Sequence, residues 1–464
     1  MACDGNNATP PSPAIAPGMN LDDPRRAVEA YLSRTGGQSI DPRIPTLVPG
    51  FDAPFFQAGL AGYSDAAMRI IARRHGCPFC VTEALLDRTI LAGGRGFAKA
   101  DLGELEDNVP GGDDDQPLAG QIMGSDPREM AAAALKMAEQ AVRSDRDYRK
   151  LAYATDGVFP STAASARQHL RLPGGQQIGF HDPVNGAGGR EAPPGEAPSL
   201  CFATIDVNLA CPVKKIDRKA RGGHWLAEPD GAIAILEAVR ESVPARVACT
   251  VKLRRAYDDT PEMAANFQRI LDATHRMGYA WATVHARTVE QKYIGPSRWD
   301  LLRRIVAENP GKTIFGSGDI WAAGDVFRML AYTGVQGVSV ARGCIGNPWI
   351  FAQARALLAG DEPRPPTLAE QRAVLEEHFA LALAVNTAGS GSVARQRKAE
   401  VYTGKTMRKF GIRFAAHHPR GEEVRRRMIA ISSFDDWLGV LGEFYPAPVN
   451  SDQPVLTTLG TEPT

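Results

Sequence analysis

The chain has 464 residues, 44% of them hydrophobic, with 53 basic and 53 acidic side chains. This length favours a large domain with a smaller partner, and the composition is sufficient for a folded core. Because the net charge is zero, only local charge can indicate a nucleic-acid partner.

Residues 1–45 are predicted to be a disordered tail, because the chain opens with a Pro-, Ala- and Asn-rich stretch that lacks the features of a secretory signal. The seven cysteines, an odd number without such a leader, favour reduced thiols in the cytoplasm. No run of about 18 apolar residues occurs, so we expect no membrane span. Nothing in the sequence implies a stable protein partner, and we expect a monomer.

Short apolar runs then alternate with segments of helical periodicity. The runs are 55–59, 79–84, 118–124, 202–208, 247–253, 281–287, 313–319 and 337–343. Helices are predicted at 64–76, 126–142, 229–243, 260–278 and 323–334. Eight strand–helix units predict an α/β fold, a (β/α)8 TIM barrel over 46–360. The alternative is an open doubly wound sheet, but GLAGYSD (59–65) does not fit its glycine fingerprint.

Three stretches depart from this alternation. The Gly/Pro-rich region at about 145–200 is predicted to be an insertion, and the acidic residues of 101–115 a solvated loop. After the barrel, helical patterns alone predict a small all-helical domain over 365–446, followed by a disordered tail over 447–464. Residues 391–430 hold eleven Arg or Lys against three Glu, which favours a nucleic-acid partner for this domain.

Active sites of TIM barrels lie at the carboxyl ends of the strands. The polar residues at the predicted ends are Gln121, Asn208, Lys252, His285, Arg287, Ser317, Gly318, Asp319, Ala341, Arg342 and Gly343, with Cys211 just beyond Asn208. The last two ends carry glycines and fit a phosphate site, for which a mononucleotide cofactor is the natural occupant.

Each of these side chains also has a structural interpretation. His285 and Gln121 could equally be structural, whereas a lysine on a barrel strand is hard to explain without a function. Cys211 could be a small buried hydrophobe, but its position before a cationic run favours a reactive thiol. Cys77 and Cys80 lack a second ligand pair, so we interpret them as packing residues and expect no metal.

Several motifs occur together, in order along the chain. They are NLACPVKK (208–215), QIMGSDP (121–127), TVKLR (250–254), VHARTVEQKY (284–293), GSGDI (316–320) and YTGVQGVSVARGCIGNPWIF (332–351). Together they resemble the tRNA-dihydrouridine synthases. The resemblance implies an FMN enzyme that reduces a uracil base of tRNA to 5,6-dihydrouracil, with NADPH or NADH as electron donor.

The resemblance also implies roles for single residues. Cys211 would protonate the base. The cations beside it tend to lower its pKa, which opposes that role unless the site is dry or the RNA neutralises them. The flavin would contact Gly59, Leu60, Ala61, Gln121, Lys252, His285, Ser317, Gly318, Asp319, Ala341 and Arg342. The substrate base would face Asn208 and Arg287, and tRNA phosphates would contact Lys214, Lys215, Arg218, Lys219, Arg425, Arg426 and Arg427.

The chain departs from the family pattern at several places, among them Ser64-Asp65, where Thr-Asp is usual, and the excursion near 145–200. Gly59-Leu60-Ala61 stands where Pro-Met-Ala is usual, and His224-Trp225 stands where small residues are usual. Two alternatives to a tRNA-modifying enzyme stay open. One is a flavin barrel acting on a free pyrimidine, similar to dihydroorotate dehydrogenase. The other is an RNA-binding barrel without catalysis.

Overall fold

The computed structural model describes residues 21–92, 113–139, 145–153, 202–387 and 393–445. The strands are β1 (Phe55–Gln57), β2 (Cys80–Val81), β3 (Leu85–Leu86), β4 (Leu118–Met123), β5 (Thr204–Leu209), β6 (Ala248–Arg254), β7 (Trp281–His285), β8 (Ile314–Ser317) and β9 (Gly337–Val340). All their pairings are parallel, and β1 pairs with both β2 and β9 while β2 pairs with β4. Eight strands therefore close into a barrel, with β3 added at the end of β4. The predicted TIM barrel and its eight strands are confirmed.

Helices surround this barrel and continue after it. In chain order they are α1 (Pro24–Arg34), α2 (Arg43–Leu47), α3 (Ala66–Arg74), α4 (Asp87–Ala92), α5 (Pro127–Ala138), α6 (Asp145–Tyr153), α7 (Lys214–Asp217), α8 (Pro229–Ser242), α9 (Pro261–Arg276), α10 (Trp299–Glu308), α11 (Ala323–Thr333), α12 (Trp349–Ala359), α13 (Leu368–Thr387), α14 (Val393–Phe414), α15 (Gly421–Ala430) and α16 (Phe434–Phe444). Caps fix several starts: Thr260 accepts from the Met263 N–H at α9, and Asp126 caps α5.

An aromatic cluster fills the barrel interior near the amino ends of the strands. Trp281 stacks on Phe315 with ring centroids 4.9 Å apart, and Phe51 stacks on Phe79 at 4.8 Å. Phe56 completes the cluster, and all five rings are buried. Because this end of the barrel is filled with apolar side chains, the polar residues at the carboxyl ends lie next to a layer of buried aromatic rings.

The expected disorder of residues 1–45 is wrong for part of the segment. Asp23 caps α1, whose residues Ala27, Val28 and Tyr31 are buried against α11. The Pro- and charge-rich composition conceals an apolar stripe that folds only because α11 is there to cover it. Residues 1–20 lie outside the described ranges.

The expected solvated loop at 101–115 is also wrong at its end. Asp115 is fully buried and accepts hydrogen bonds from Arg69 of α3, with Arg69 Nη2 2.7 Å from Asp115 Oδ2. Removing one partner of such a buried pair typically costs about 3–5 kcal/mol. Residues 93–112 lie outside the described ranges.

The insertion at about 145–200 is described only over 145–153. There α6 packs on α5 and α4, with Tyr148 and Ala152 buried. The remaining residues, 154–201, lie outside the described part of the chain, and the predicted insertion stays a prediction.

The region after the barrel is helical, as predicted. Helices α13 to α16 pack around Phe379, Trp437 and Leu441, and α13 packs on α3 of the barrel. The domain limits 46–360 and 365–446 stay predictions, and the tail 447–464 lies outside the described residues. Over the ranges that are described, none of the helices has the length and apolar composition needed to cross a membrane.

Candidate active site

The barrel brings the predicted strand-end residues to one mouth. Parallel register pairs Asn208 of β5 with Lys252 of β6, and His285 of β7 with Ser317 of β8. Gln121 of β4 lies one strand further round, buried at 2% exposure. Residues distant in the sequence therefore share one rim because strands of the same direction end at the same edge.

Lys252 presents a buried ammonium group to the barrel interior. Within the described residues, its Nζ has no hydrogen-bond partner. Burial, and then the charge of Arg254, lowers the pKa of Lys252 from 10.5 to about 8, against the opposing effect of Asp206. A buried cation without a partner is costly, and such a group commonly marks a ligand site.

His285 stands at the end of the next strand and is held neutral. Its Nδ1 accepts a hydrogen bond from the backbone N–H of Arg287 at 3.3 Å, so the ring proton belongs on Nε2. Burial, reinforced by the charges of Arg254 and Lys252, lowers the pKa of His285 well below its usual value. The site therefore offers a neutral N–H donor beside a lysine.

Two turns after β8 and β9 form a pocket of their own. It is lined by His285, Ser317, Gly318, Asp319, Ile320, Trp321, Ser339, Ala341 and Arg342. Gly318 has a φ of +120°, and a side chain there would overlap Ser297 Oγ. Asp319 has a φ of +57°, an uncommon value for a residue other than glycine. Turns with such backbone conformations can present main-chain N–H groups to an anion, so the pocket remains a candidate phosphate site.

Arg287 lies beneath this pocket. Its guanidinium is buried, and Nη2 donates to both oxygens of Asp319, at 2.9 and 2.8 Å. Nε also donates to the Gly295 carbonyl at 3.0 Å. In this structure the side chain holds the unusual Asp319 turn in place, and the predicted contact of Arg287 with a substrate base stays a prediction.

Cys211 lies in the loop after β5, partly exposed at the mouth. The chain folds back on it: the Gly223 N–H donates to the Cys211 carbonyl at 3.0 Å, and a Cβ on Gly222 would lie 2.8 Å from the Cys211 Cβ. Burial raises the pKa of the thiol, outweighing the backbone N–H of Val213 and the charge of Arg254. A nearby cation, Arg254, does lower this pKa, but burial outweighs it, so the net shift favours the protonated thiol.

Of the four predicted phosphate-binding cations after Cys211, the structure describes the side chains of two. Arg218 and Lys219 are exposed beside α7, as expected of residues that meet an external anion. The side chains of Lys214 and Lys215 lie outside the described part of the chain. Their predicted phosphate contacts, like those of Arg218 and Lys219, stay predictions.

Arg254, at the end of β6, was not singled out from the sequence. Its Nε donates to the Ala210 carbonyl at 2.9 Å, directly before Cys211, and its Nη1 donates to the Thr288 carbonyl at 2.7 Å. Its guanidinium also lies 5.6 Å from the ring centroid of Tyr293. The available signal was its position two residues after Lys252, which places both side chains on the same side of the strand.

The turn at 59–61 closes the opposite side of the mouth. A Cβ on Gly59 would overlap the Thr82 carbonyl and lie 3.2 Å from Gln121 Oε1. Leu60 is partly exposed and Ala61 exposed. The turn thus lies against Gln121, where the sequence predicts one edge of a cofactor.

This chain is similar to proteins of one family. Residues 197–417 match the family described as Dihydrouridine synthase (Dus). A probable tRNA-dihydrouridine synthase of Treponema pallidum is 32% identical over 249 residues, covering 52% of this chain and 68% of that protein. The chain belongs to the dihydrouridine synthase family. The resemblance of its motifs is confirmed.

Two further members of the dihydrouridine synthase family show the extent of the likeness. A probable tRNA-dihydrouridine synthase of Mycobacterium tuberculosis is 31% identical over 50% of this chain and 56% of its own length. A tRNA-dihydrouridine(16) synthase of Aquipseudomonas alcaligenes is 33% identical over 38% of this chain and 55% of its own length. The chain thus spans little more than half the length of these two relatives.

The departure from the dihydrouridine synthase pattern at His224-Trp225 is absorbed by packing. Trp225 is buried, and its Nε1 donates to the Gly124 carbonyl at 3.3 Å. A side chain at Gly231 would overlap its ring, so α8 provides the space for the indole. The bulky residue therefore anchors the far end of the Cys211 loop instead of entering the mouth.

The helical region carries its cations on α14 and α15. Arg425 pairs with Glu422 at 3.3 Å and Arg427 with Glu443 at 3.0 Å, whereas Arg426 is exposed. Lys409 donates to the Gly62 carbonyl, so it joins the helices to the turn beside the mouth. Some cations of the helical region are therefore already paired with carboxylates.

The basic surface continues from the tail to the barrel. Burial, and the charges of Arg287 and Arg413, lower the pKa of Arg342. Arg413 is exposed on α14, close enough to Arg342 for this repulsion. A cation of α14 therefore lies near Arg342, which lines the pocket at the mouth and pairs with Asp319.

Proposed function

We propose that the protein is a tRNA-dihydrouridine synthase that uses FMN to reduce a uracil base. The observation that carries the proposal is the pairing of two groups at one mouth. They are the buried ammonium of Lys252, which has no hydrogen-bond partner among the described residues, and the Cys211 thiol one strand away, whose pKa burial raises. Membership of the family supports the assignment of these groups.

The residues present fit FMN. Among the described residues Lys252 Nζ has no partner, and an electronegative edge of a flavin ring would supply one; neutral His285 offers an N–H beside it. The pocket of Gly318, Asp319 and Arg342 combines main-chain turns with a cation, which suits a phosphate. Gln121 and the 59–61 turn would bound the ring from the other side.

The cofactor and the side chains of this protein would then have separate roles in the reaction. Bound FMN, kept reduced by NADPH or NADH, would supply a hydride to one carbon of the uracil ring. Cys211 would give its thiol proton to the neighbouring carbon, where charge develops. Its raised pKa keeps the proton on sulfur until the base is in place. Arg254 stabilises the loop that carries this thiol through the Ala210 carbonyl.

A base must leave its stack to reach the mouth of a barrel. Exposed cations would meet the RNA: Arg218 and Lys219 in the chain after Cys211, and Arg426 on α15. Cationic surfaces bind folded RNA through its phosphates and shape. The helical region would hold the tRNA body while one uridine enters the barrel.

The direct test supplies the purified protein with FMN, NADPH or NADH, and an unmodified tRNA transcript. Nucleoside mass spectrometry of the digested transcript should reveal a uridine that has gained two hydrogens. Free uracil and orotate, supplied in parallel, should stay unreduced. Reduction of a free pyrimidine but not of tRNA would support the alternative oxidoreductase, and failure to bind FMN, read from the visible spectrum, would exclude both enzymes.

A further inference from the structure

Asp206 is a charged residue inside the barrel that the sequence motifs did not bring out. It lies on β5 in register with Gln121 of β4, and 5% of its surface is exposed. We infer that Asp206 is a positioning residue: its carboxylate sets the direction of a hydrogen-bond chain that ends at the Cys211 loop. The inference rests on the proposed function, because Cys211 is the proposed proton donor.

The chain starts at the carboxylate. Asp206 Oδ2 accepts from Gln121 Nε2 at 2.7 Å, and Oδ1 accepts from Thr250 Oγ1 at 2.6 Å. A carboxylate only accepts hydrogen bonds, whereas an amide has one donating and one accepting end. Asp206 therefore allows one orientation of the Gln121 side chain, with Nε2 inward and Oε1 outward.

That orientation is passed to the next strand. Gln121 Oε1 accepts from Asn208 Nδ2 at 2.7 Å, which turns Asn208 Oδ1 toward the Ala210 N–H, 3.0 Å away. Ala210 immediately precedes Cys211. Two neutral amides thus connect one buried charge to the backbone that carries the thiol.

Replacing the carboxylate by an amide would remove this direction while nearly preserving shape. Asparagine at 206 can donate or accept toward Gln121, so Gln121 can also rest with Nε2 facing Asn208 Nδ2. Two donors would then oppose each other, or Asn208 would turn its own NH2 group toward the Ala210 N–H. Either arrangement leaves a buried donor unpaired beside the loop of Cys211.

The charge of Asp206 also acts on Lys252: it opposes the effects of burial and Arg254, which together lower the pKa of Lys252. A loss of activity alone would therefore not distinguish amide direction from electrostatics. The decisive readout is the Gln121 side-chain amide itself. A bond to a buried carboxylate should shift one of its protons downfield and protect it from exchange with water.

The experiment uses FMN-loaded protein carrying ¹⁵N in the glutamine side chains. The Gln121 resonance is assigned by its absence in Gln121→Met. Asp206→Asn should lose the shifted, protected proton and lower kcat for dihydrouridine about tenfold to a hundredfold, with little change in KM for tRNA. Thr250→Val is the matched control, because it removes the other bond to Asp206; it should keep the resonance and retain kcat within a few-fold.

The outcomes separate this inference from the function on which it rests. An unshifted, rapidly exchanging Gln121 amide in the wild type would overturn the inference, even if Asp206→Asn fails to fold. Wild-type kcat in Asp206→Asn, or an equal loss in Thr250→Val, would overturn it too. If the wild type makes no dihydrouridine, the proposed function fails, while the resonance still decides whether Asp206 orients the amide.

Discussion

Asn208 and Lys252 are register partners on adjacent barrel strands, β5 and β6. The pairing puts the buried ammonium of Lys252 beside the strand that leads into the Cys211 loop. The proposed anion-binding group therefore stands on the strand beside the one whose end begins the loop that carries the proposed acid.

Lys252→Met should alter how stability depends on pH. The pKa of Lys252 is lowered from 10.5 to about 8 in the folded protein, so between these values the unfolded chain holds more protons. Stability of the wild type should therefore rise with pH across this window relative to the variant, by about 2 kcal/mol between pH 8 and pH 10. Urea unfolding of both FMN-free proteins at pH 8 and 10 measures the difference. Parallel pH dependences would show that Lys252 is not buried as a cation.

His378 on α13 should set the acid stability of the contact between barrel and tail. It is buried beside Met68 of α3 and Phe410 of α14, and neither ring nitrogen has a hydrogen-bond partner among the described residues. Burial, and then the charge of Lys409, lowers its pKa from 6.5 to about 3.

Below pH 6.5 His378 is therefore protonated in the unfolded chain, whereas it stays neutral in the folded protein. Stability should fall by about 2 kcal/mol between pH 6.5 and 5 from this residue alone. His378→Leu should remove that part of the pH dependence in thermal or urea unfolding. If the variant loses as much stability between pH 6.5 and 5 as the wild type does, His378 is exposed to solvent and not buried.

The sequence predicts the barrel well because alternation of strands and helices is a local pattern. It also predicts Lys252 and Cys211, since a lysine on an apolar strand and a thiol at a strand end are conspicuous. Asp206 lies within a strand and Arg254 ends one. Both were missed because their roles depend on hydrogen bonds to Gln121 and Ala210, which are remote in the sequence.

Other features need a partner element before they can be recognised. The sequence of α1 predicts disorder, because its apolar stripe is buried only against α11. Asp115 is predicted to be solvated, because its ion pair with Arg69 is visible only in the fold. Likewise, His224-Trp225 is a departure from the family pattern in the sequence, and only the structure shows that Gly231 of α8 leaves room for the indole of Trp225. Interactions of this kind are made across long sequence separations that no local pattern encodes.

Charge reversal of Arg425, Arg426 and Arg427 to Glu should weaken tRNA binding and flatten its salt dependence. The slope of log K against log salt should decrease by about 0.8 for each tRNA phosphate that the variant no longer neutralises. Arg426 should contribute most, because Arg425 and Arg427 are already paired with Glu422 and Glu443.

The control is the double reversal of Arg303 and Arg304, which are exposed on α10 of the barrel wall. It changes the charge in the same sense and should leave the salt slope near that of the wild type. Equal slopes for the tail variant and the wild type, from filter binding at several salt concentrations, would remove α15 from the RNA interface.

The dihydrouridine content of tRNA made with Cys211→Ala tests the central claim most directly. A strain without its own dihydrouridine synthases would carry the wild type, Cys211→Ala, or the control Cys249→Ala, which removes a buried thiol from β6. The purified Cys211→Ala protein should retain FMN, as read from its flavin absorbance, because Lys252 and His285 are untouched. We predict dihydrouridine with the wild type and Cys249→Ala, and little with Cys211→Ala. Full dihydrouridine with Cys211→Ala would contradict the assignment of Cys211 as the essential acid.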